Sequence, residues 1–260
     1  MILAGVDVGS VATKVVTLKD KQVVGRHVLP TGANPQKAAE TALAGALGQA
    51  GLAGATPSRI VSTGYGRRAT QMSGDIVTEI TAAGRGAHWL GAPWGAVKTV
   101  LDLGGQDTKV IVLNGDGSVA DFAMNDKCAA GTGRFLTLMC GALEIDLAQM
   151  SALSLQALQP VAINSTCAVF AESEVVSLIA QGRSKEDIVA GLYSAIASRI
   201  ANMVRQMGGK EIFFSGGGAR SAGLHKAIES ALGLPVYVPP EPQFVVATGA
   251  ALIAQERAAK

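Results

Sequence analysis

Two stretches of the chain carry one pattern of reactive residues. GVDVGSVATKVVTLKD (residues 5–20) and LDLGGQDTKVIVLNGD (101–116) each run aspartate, apolar residue, glycine, short turn, Thr-Lys-Val and alternating apolars. The turns Gly9-Ser10-Val11-Ala12 and Gly104-Gly105-Gln106-Asp107 would offer successive backbone N–H groups. Glycine lets an oxyanion approach the chain, and such N–H groups together form an anion-binding concavity. Asp7 and Asp102, just before the turns, are placed to hold a hydrated magnesium ion. Thr13 and Lys14 follow the first turn, and Lys14 can offset phosphate charge. One such turn is an ordinary hairpin; two in register point to a nucleotide phosphate chain. Lys109, the repeat's counterpart of Lys14, reads equally as a solvated strand residue. A third glycine cluster, Gly216-Gly217-Gly218, follows an apolar strand pattern and precedes a helix.

The thiols are a second kind of chemistry. Cys128 in NDKCAAGTGRF and Cys167 in INSTCAVFAESE each stand just before a predicted helix, whose unpaired N–H groups and dipole favour a thiolate. Cys140 falls inside the first of these helices and reads as a small buried hydrophobe. Two thiolates are half of a four-cysteine iron–sulfur cluster, and a symmetric dimer would supply the other half. On spacing alone an inert buried pair accounts for them best, and a redox pair is the other alternative.

The elements that must position these groups form an α/β chain. Strands are predicted at 2–8, 13–20 and 23–30, a helix over 35–50 with Pro35 at its start, a short strand at 60–63 and a helix over 75–91. From residue 99 the strand–turn–strand–turn–strand order begins again. This internal duplication at roughly a hundred residues is a fold-level signal. Helices are expected at 131–144, 168–181 and 186–207, where Ile188, Leu192, Ile196, Ile200 and Val204 recur every four residues. Strand 211–215, helix 221–232, strand 235–239 and a closing helix 244–257 complete the chain. The halves predict two lobes, 1–97 and 98–260, with the closing helix packing back on the first.

Composition narrows the classes. A net charge of +2 gives no argument for nucleic acid or a membrane surface, and no run of about 18 apolar residues suggests a span. Three cysteines among 260 residues, with no export-type leader, suit a reducing cytoplasm. His27, His88 and His225 are isolated and are not read as ligands. Trp89 and Trp94 are assigned to packing, Glu172 and Glu174 to a helix's first turn. The loop of Tyr65, Arg67 and Arg68 is a surface loop or a docking patch.

Two hairpin-first lobes, each opening Asp-x-Gly, resemble the nucleotide-binding fold of actin, sugar kinases, acetate kinase and the large heat-shock chaperones. In that fold the nucleotide lies between the lobes. The resemblance assigns Gly216, Gly217 and Gly218 to the nucleoside and its first phosphate, and Gln243 less distinctively to adenine or ribose. Gln106 and Asp107 would orient water on the terminal phosphate, since phosphoryl transfer is mostly alignment and electrostatics. NDKCAAGTGRF, STCAVFAESEV, DLGGQDTKVI and TGYGRR together resemble the ATP-dependent activators of 2-hydroxyacyl-CoA dehydratases and the ATPase subunits of benzoyl-CoA reductase. The resemblance implies a homodimer with one [4Fe–4S] cluster held by Cys128 and Cys167 of each subunit. It further implies Mg2+ and ATP/ADP on residues 10–14 and 104–107, with Gly131 in the loop adjoining both sites. Reduced ferredoxin or flavodoxin would be the electron donor, and a dehydratase or reductase the acceptor. The competing readings are a small-molecule kinase of the same fold (acetate or amino-sugar type), with incidental cysteines, and a nucleotide-gated regulator.

Overall fold

The computed structural model describes residues 1–72, 75–164 and 167–259. It opens with strands β1 (Ile2–Val8), β2 (Ala12–Lys19) and β3 (Gln22–Pro30), followed by helix α1 (Pro35–Gln49). Pro35 starts α1, and the Asn34 side chain caps it by accepting from the Lys37 N–H at 3.0 Å. Strands β4 (Arg59–Thr63) and β5 (Asp75–Ile76) follow, then helix α2 (Glu79–Gly91). The pattern expected to be helical from residue 75 thus begins as a short strand. The Thr78 side chain caps the helix by accepting from the Thr81 N–H, so α2 starts four residues later than its apolar pattern suggests.

The second half repeats this with β6 (Thr99–Leu103), β7 (Thr108–Leu113), β8 (Val119–Asn125), β9 (Ile212–Ser215) and β10 (Val236–Tyr237). Sheet orders are β3-β2-β1-β4-β5 and β10-β9-β6-β7-β8, the same arrangement read in opposite directions. The duplication reaches single residues. Asp7 pairs with Lys14 as Asp102 pairs with Lys109, and the register shifts fall at Thr17/Leu18 and Val112/Leu113. Between β8 and β9 lie helices α3 (Gly133–Leu143), α4 (Leu147–Ser154), α5 (Ala168–Ala180) and α6 (Lys185–Gln206). After β9 come α7 (Ala222–Leu232) and α8 (Val245–Ala258). Helix α4 was not expected from the pattern; it is short and held by a capping box between Asp146 and Gln149.

Helices α2 and α8 join one apolar core with residues of both sheets: Leu3 and Leu18 from the first, Val100, Ile111 and Phe213 from the second. Their approach depends on absent side chains. A Cβ on Gly249 would collide with the Ala82 carbonyl, one on Gly86 with the Val245 carbonyl, and one on Gly5 with α8. The far end of α8 is tied to the first sheet by Arg257, whose Nη1 lies 3.1 Å from Asp75; Arg59 holds the same carboxylate at 2.6 Å. Gly249→Val is expected to cost about 3 kcal/mol, seen as a lower urea midpoint, because neither backbone can yield. Trp94 stacks on Tyr237 and meets Phe213 edge-on, which agrees with its assignment to packing. No single helix among the described residues is long and apolar enough to cross a membrane.

Candidate functional site

The two hairpin turns close in the same way, Gly9 N–H donating to the Ala12 carbonyl at 3.2 Å and Gly104 N–H to the Asp107 carbonyl at 2.9 Å. They also meet each other: a side chain on Gly105 would run into Val11. The first turn is braced from β3's end, where Thr31 Oγ1 donates to the Gly9 carbonyl at 2.7 Å and shares a hydrogen bond with Thr13. Ser10 and Val11 stay exposed at the turn's tip, available to a ligand.

Four carboxylates and two amines converge behind the turns. Asp7 is 3% exposed; its Oδ2 accepts from Lys14 Nζ at 3.1 Å. Its other oxygen, Oδ1, is buried without a hydrogen-bond partner among the described residues, as are Ser62 Oγ and Thr63 Oγ1 nearby on β4. Buried polar atoms left this way are expected to find water, an ion or a ligand. Asp102 Oδ1 accepts from Ser215 Oγ at 2.8 Å, and its Oδ2 lies 3.8 Å from Lys109. Lys109 Nζ sits 2.7 Å from Asp107 and 3.2 Å from Glu79. Lys109 is 3% exposed, so the solvated-strand reading is corrected. The β7 face that carries it turns into the space between the sheets, where Glu79 opens α2.

Burial pulls the Lys109 amine toward neutrality, but Asp102, Glu79 and Asp107 outweigh it and raise its pKa above the usual lysine value. Lys14 is likewise raised, burial being outweighed chiefly by Asp7. Glu79 is pushed up by burial, with Lys109 opposing and the three aspartates adding. Asp7, Glu79, Asp102 and Asp107 against Lys14 and Lys109 leave an excess of two negative charges, the demand that a divalent cation meets. Among the described residues no three acidic, histidine or cysteine side chains form a ready chelate, so an ion there would keep much of its water. The sequence reading omitted Glu79, because nothing local marks it apart from its place after a helix cap. Lys109 had a signal, its register with Lys14.

Residues 128–134 lie against the second turn. Gly133 N–H donates to the Gly104 carbonyl at 2.9 Å and Arg134 N–H to the Gly105 carbonyl at 2.8 Å; Thr108 Oγ1 donates to the Gly131 carbonyl at 2.6 Å. Gly131 adopts a φ of +95°, open to glycine but strained for other residues. Thr132 is the cap of α3, so Cys128 stands four residues before the cap rather than immediately before the helix. The intervening loop folds on itself through Asn125, whose Nδ2 donates to the Cys128 carbonyl at 3.1 Å and the Ala130 carbonyl at 3.3 Å. Cys167 does occupy the cap of α5; it is exposed, and its thiol makes no capping hydrogen bond. Cys140 is buried against Met150, 3.5 Å between sulfurs. Glu172 and Glu174 lie past the first turn of α5, where the dipole argument weakens, and Glu174 instead accepts from the Asn164 N–H at 3.0 Å.

Gly216, with φ +86°, leads β9 into a 3-10 turn (Gly217–Arg220), and its N–H donates to the Pro242 carbonyl at 3.0 Å. Gln243 adjoins that turn, accepting from Arg220 at 3.4 Å. It also lines a cavity of about 650 Å³ with Arg26 and Val28 of β3, Glu241 and Phe244.

The sequence profile of the BadF/BadG/BcrA/BcrD ATPase family matches residues 4–254. The chain is 39% identical to the (R)-2-hydroxyglutaryl-CoA dehydratase activating ATPase of Acidaminococcus fermentans, over 98% of both chains. It is 40% identical to the activator of lactoyl-CoA dehydratase of Anaerotignum propionicum, over the full length of each. The ADPNP-bound activator of the 2-hydroxyisocaproyl-CoA dehydratase from Clostridium difficile superposes with a TM-score of 0.94 at 36% identity, covering 100% of this chain and 96% of that one. A ROK family glucokinase from Streptomyces griseus, 13% identical at TM-score 0.61 over 98% and 100% of the chains, shares the fold, as an actin-like and sugar-kinase architecture requires. Twin phosphate-type turns, duplicated sheets and full-length similarity agree: the chain belongs to the BadF/BadG/BcrA/BcrD ATPase family.

Proposed function

We propose that this protein is an ATP-hydrolysing activator that passes single electrons to a 2-hydroxyacyl-CoA dehydratase or a related reductase. The observation that carries the reading is the pair of hydrogen bonds from Gly133 and Arg134 to Gly104 and Gly105. They fasten a phosphate-type turn to the loop that bears Cys128. Full-length similarity to named dehydratase activators and to a component of the benzoyl-CoA reductase of Thauera aromatica supports the class of partner.

In this reading residues 1–97 and 98–260 act as the two lobes around the nucleotide. Residues 10–14 and 104–107 cradle the phosphates with backbone N–H groups, and Lys14 and Lys109 balance their charge. Gly216–Gly218 and Gln243 border the nucleoside. Asp7 and Asp102 would hold the hydrated magnesium of the substrate, which the orphaned Asp7 Oδ1 fits; the ion would neutralise phosphate charge. Gln106, at the exposed tip of the second turn, orients water, and Asp107, fixed by Lys109, keeps that turn closed. Replacing Gln106 with alanine is expected to slow phosphate release about 10²-fold with little change in nucleotide affinity.

The donor chemistry of the thiols fits half of a four-thiolate cluster. Cys128 and Cys167 are unbridged, neither is fully buried, and α3 and α5, which flank them, pack together. A second copy of the chain would complete the set. The surface beside Cys167 suits such a partner: Val169, Phe170 and Val176 are more than half exposed, and Val169 and Val176 share a face of α5. A [4Fe–4S] cluster there would supply one-electron storage. The chain's part is to supply two of its four thiolates, Cys128 and Cys167, and to couple the Cys128 loop to the nucleotide turn. A reduced ferredoxin or flavodoxin would be the electron source. Protein purified without oxygen should be brown, and reduced protein should pass electrons to the partner only when ATP is hydrolysed. Colourless protein that instead phosphorylates a metabolite would establish the kinase reading.

A further inference from the structure

Cys128 Sγ has a cationic neighbour. Arg199 Nη1, on α6, approaches it to 3.8 Å, within hydrogen-bonding range for sulfur. The arginine ion pairs among the described residues belong to Arg59, Arg85 and Arg257; Arg199 has none. It is half-buried beside the core positions Ile196 and Ile200, with no acidic partner among the described residues. An arginine held with a thiol as its acceptor is unusual, because an uncompensated charge gains more from a carboxylate or from solvent. Helix α6 is also a firm mount. Its Lys185 donates to the Leu143 carbonyl at the end of α3 at 2.6 Å, and the Val161 N–H donates to its Asp187 carbonyl at 3.0 Å.

We propose that Arg199 tunes the cluster bound at Cys128, donating an N–H···S hydrogen bond and positive charge to one cysteinate from each protomer. The proposal rests on the cluster reading above. One-electron reduction adds a negative charge to an already anionic centre, so a nearby cation and a sulfur hydrogen bond favour the reduced form and raise its potential. Twofold symmetry doubles the effect, since each protomer brings its own Arg199. The chain would in this way keep the resting cluster reducible by an ordinary low-potential donor.

The test uses full-length protein reconstituted anaerobically with iron and sulfide. Iron content is measured first, and the midpoint then by redox titration followed by EPR. Arg199→Gln is expected to shift the one-electron equilibrium about tenfold against reduction, ~59 mV more negative. Arg199→Lys keeps a charge but loses the planar fork and should move the midpoint less, in the same direction. ATP affinity should be unchanged in both, which a general structural defect would not allow. Full iron with a wild-type midpoint in both variants overturns the role of Arg199 while leaving the cluster reading intact. Loss of iron from both variants, with ATP binding preserved, also overturns it, by showing a residue needed for assembly. Wild-type protein that takes up no iron overturns both readings.

Discussion

Cys167→Ala protein, purified without oxygen, is expected to be colourless and to carry almost no iron, where the proposed cluster-bridged parent would carry about four irons per dimer. The same holds for Cys128→Ala. Neither thiol is central to a core: Cys167 is exposed at the start of α5, and Cys128, half-buried in a loop ordered by Asn125, packs only against the edge of one. Loss of colour should therefore come without loss of fold, and ATP should bind as before. Cys140→Ala is the control. Its sulfur is buried against Met150, and burial raises its thiol pKa, with Asp146 adding to the effect. That variant should keep its iron and lose about 1 kcal/mol of stability, as removal of a small buried group does. Iron retained in the Cys128 and Cys167 variants, or lost in the Cys140 variant, would remove the assignment.

Lys109→Met should be the most destabilising single change in the site, by about 3–5 kcal/mol near neutral pH. Methionine fills similar space, so the cost is electrical. Asp107 at 2.7 Å, Glu79 at 3.2 Å and Asp102 at 3.8 Å would face one another without the amine. The pH dependence has a definite sign. In the parent protein the raised Lys109 pKa keeps the amine charged, so its contribution is complete below the ordinary lysine value and is lost only in strong alkali. In the variant Glu79, which burial already raises, holds its proton to higher pH than in the unfolded chain, beside the carboxylates of Asp102 and Asp107. Their repulsion then fades as pH falls, and the gap between variant and parent should narrow. Urea midpoints at about pH 8 and pH 5 decide it, since the raised Glu79 carboxyl is the first to take up its proton as the pH falls. Lys14→Met should cost less, because Lys14 is more exposed and its direct ion pair is with Asp7, Asp102 and Glu79 acting from further off. A loss below about 1 kcal/mol for Lys109→Met, or a gap that widens in acid, would contradict the electrostatic account.

The twin lysines show what repetition in a sequence can and cannot convey. Their equal places in the two hairpins follow from strand alternation and matching turns. Their unequal surroundings do not: Glu79, distant in sequence, forms an ion pair with Lys109 and reaches Lys14 only as a weaker charge effect. The missed helix α4 and the late start of α2 have local causes, a capping box and a capping threonine, which weigh more at a helix end than apolar spacing does.

By itself the sequence determined the parts that depend on near neighbours. These are the duplicated strand–turn–strand units, the glycine turns with an aspartate before each, the amphipathic α6 and the two thiols outside helix interiors. Such features rest on alternation, helical period and the freedom of glycine, all set within a few residues. Only the tertiary structure decided that Lys109 is buried among three carboxylates and that Asp7 keeps an oxygen with no partner among the described residues. It alone hung the start of α3 on the second turn and brought Arg199 to Cys128. Those arrangements come from packing two sheets on a shared pair of helices, where glycines at the crossings set the approach. No spacing along the chain encodes which distant charge that approach will bury.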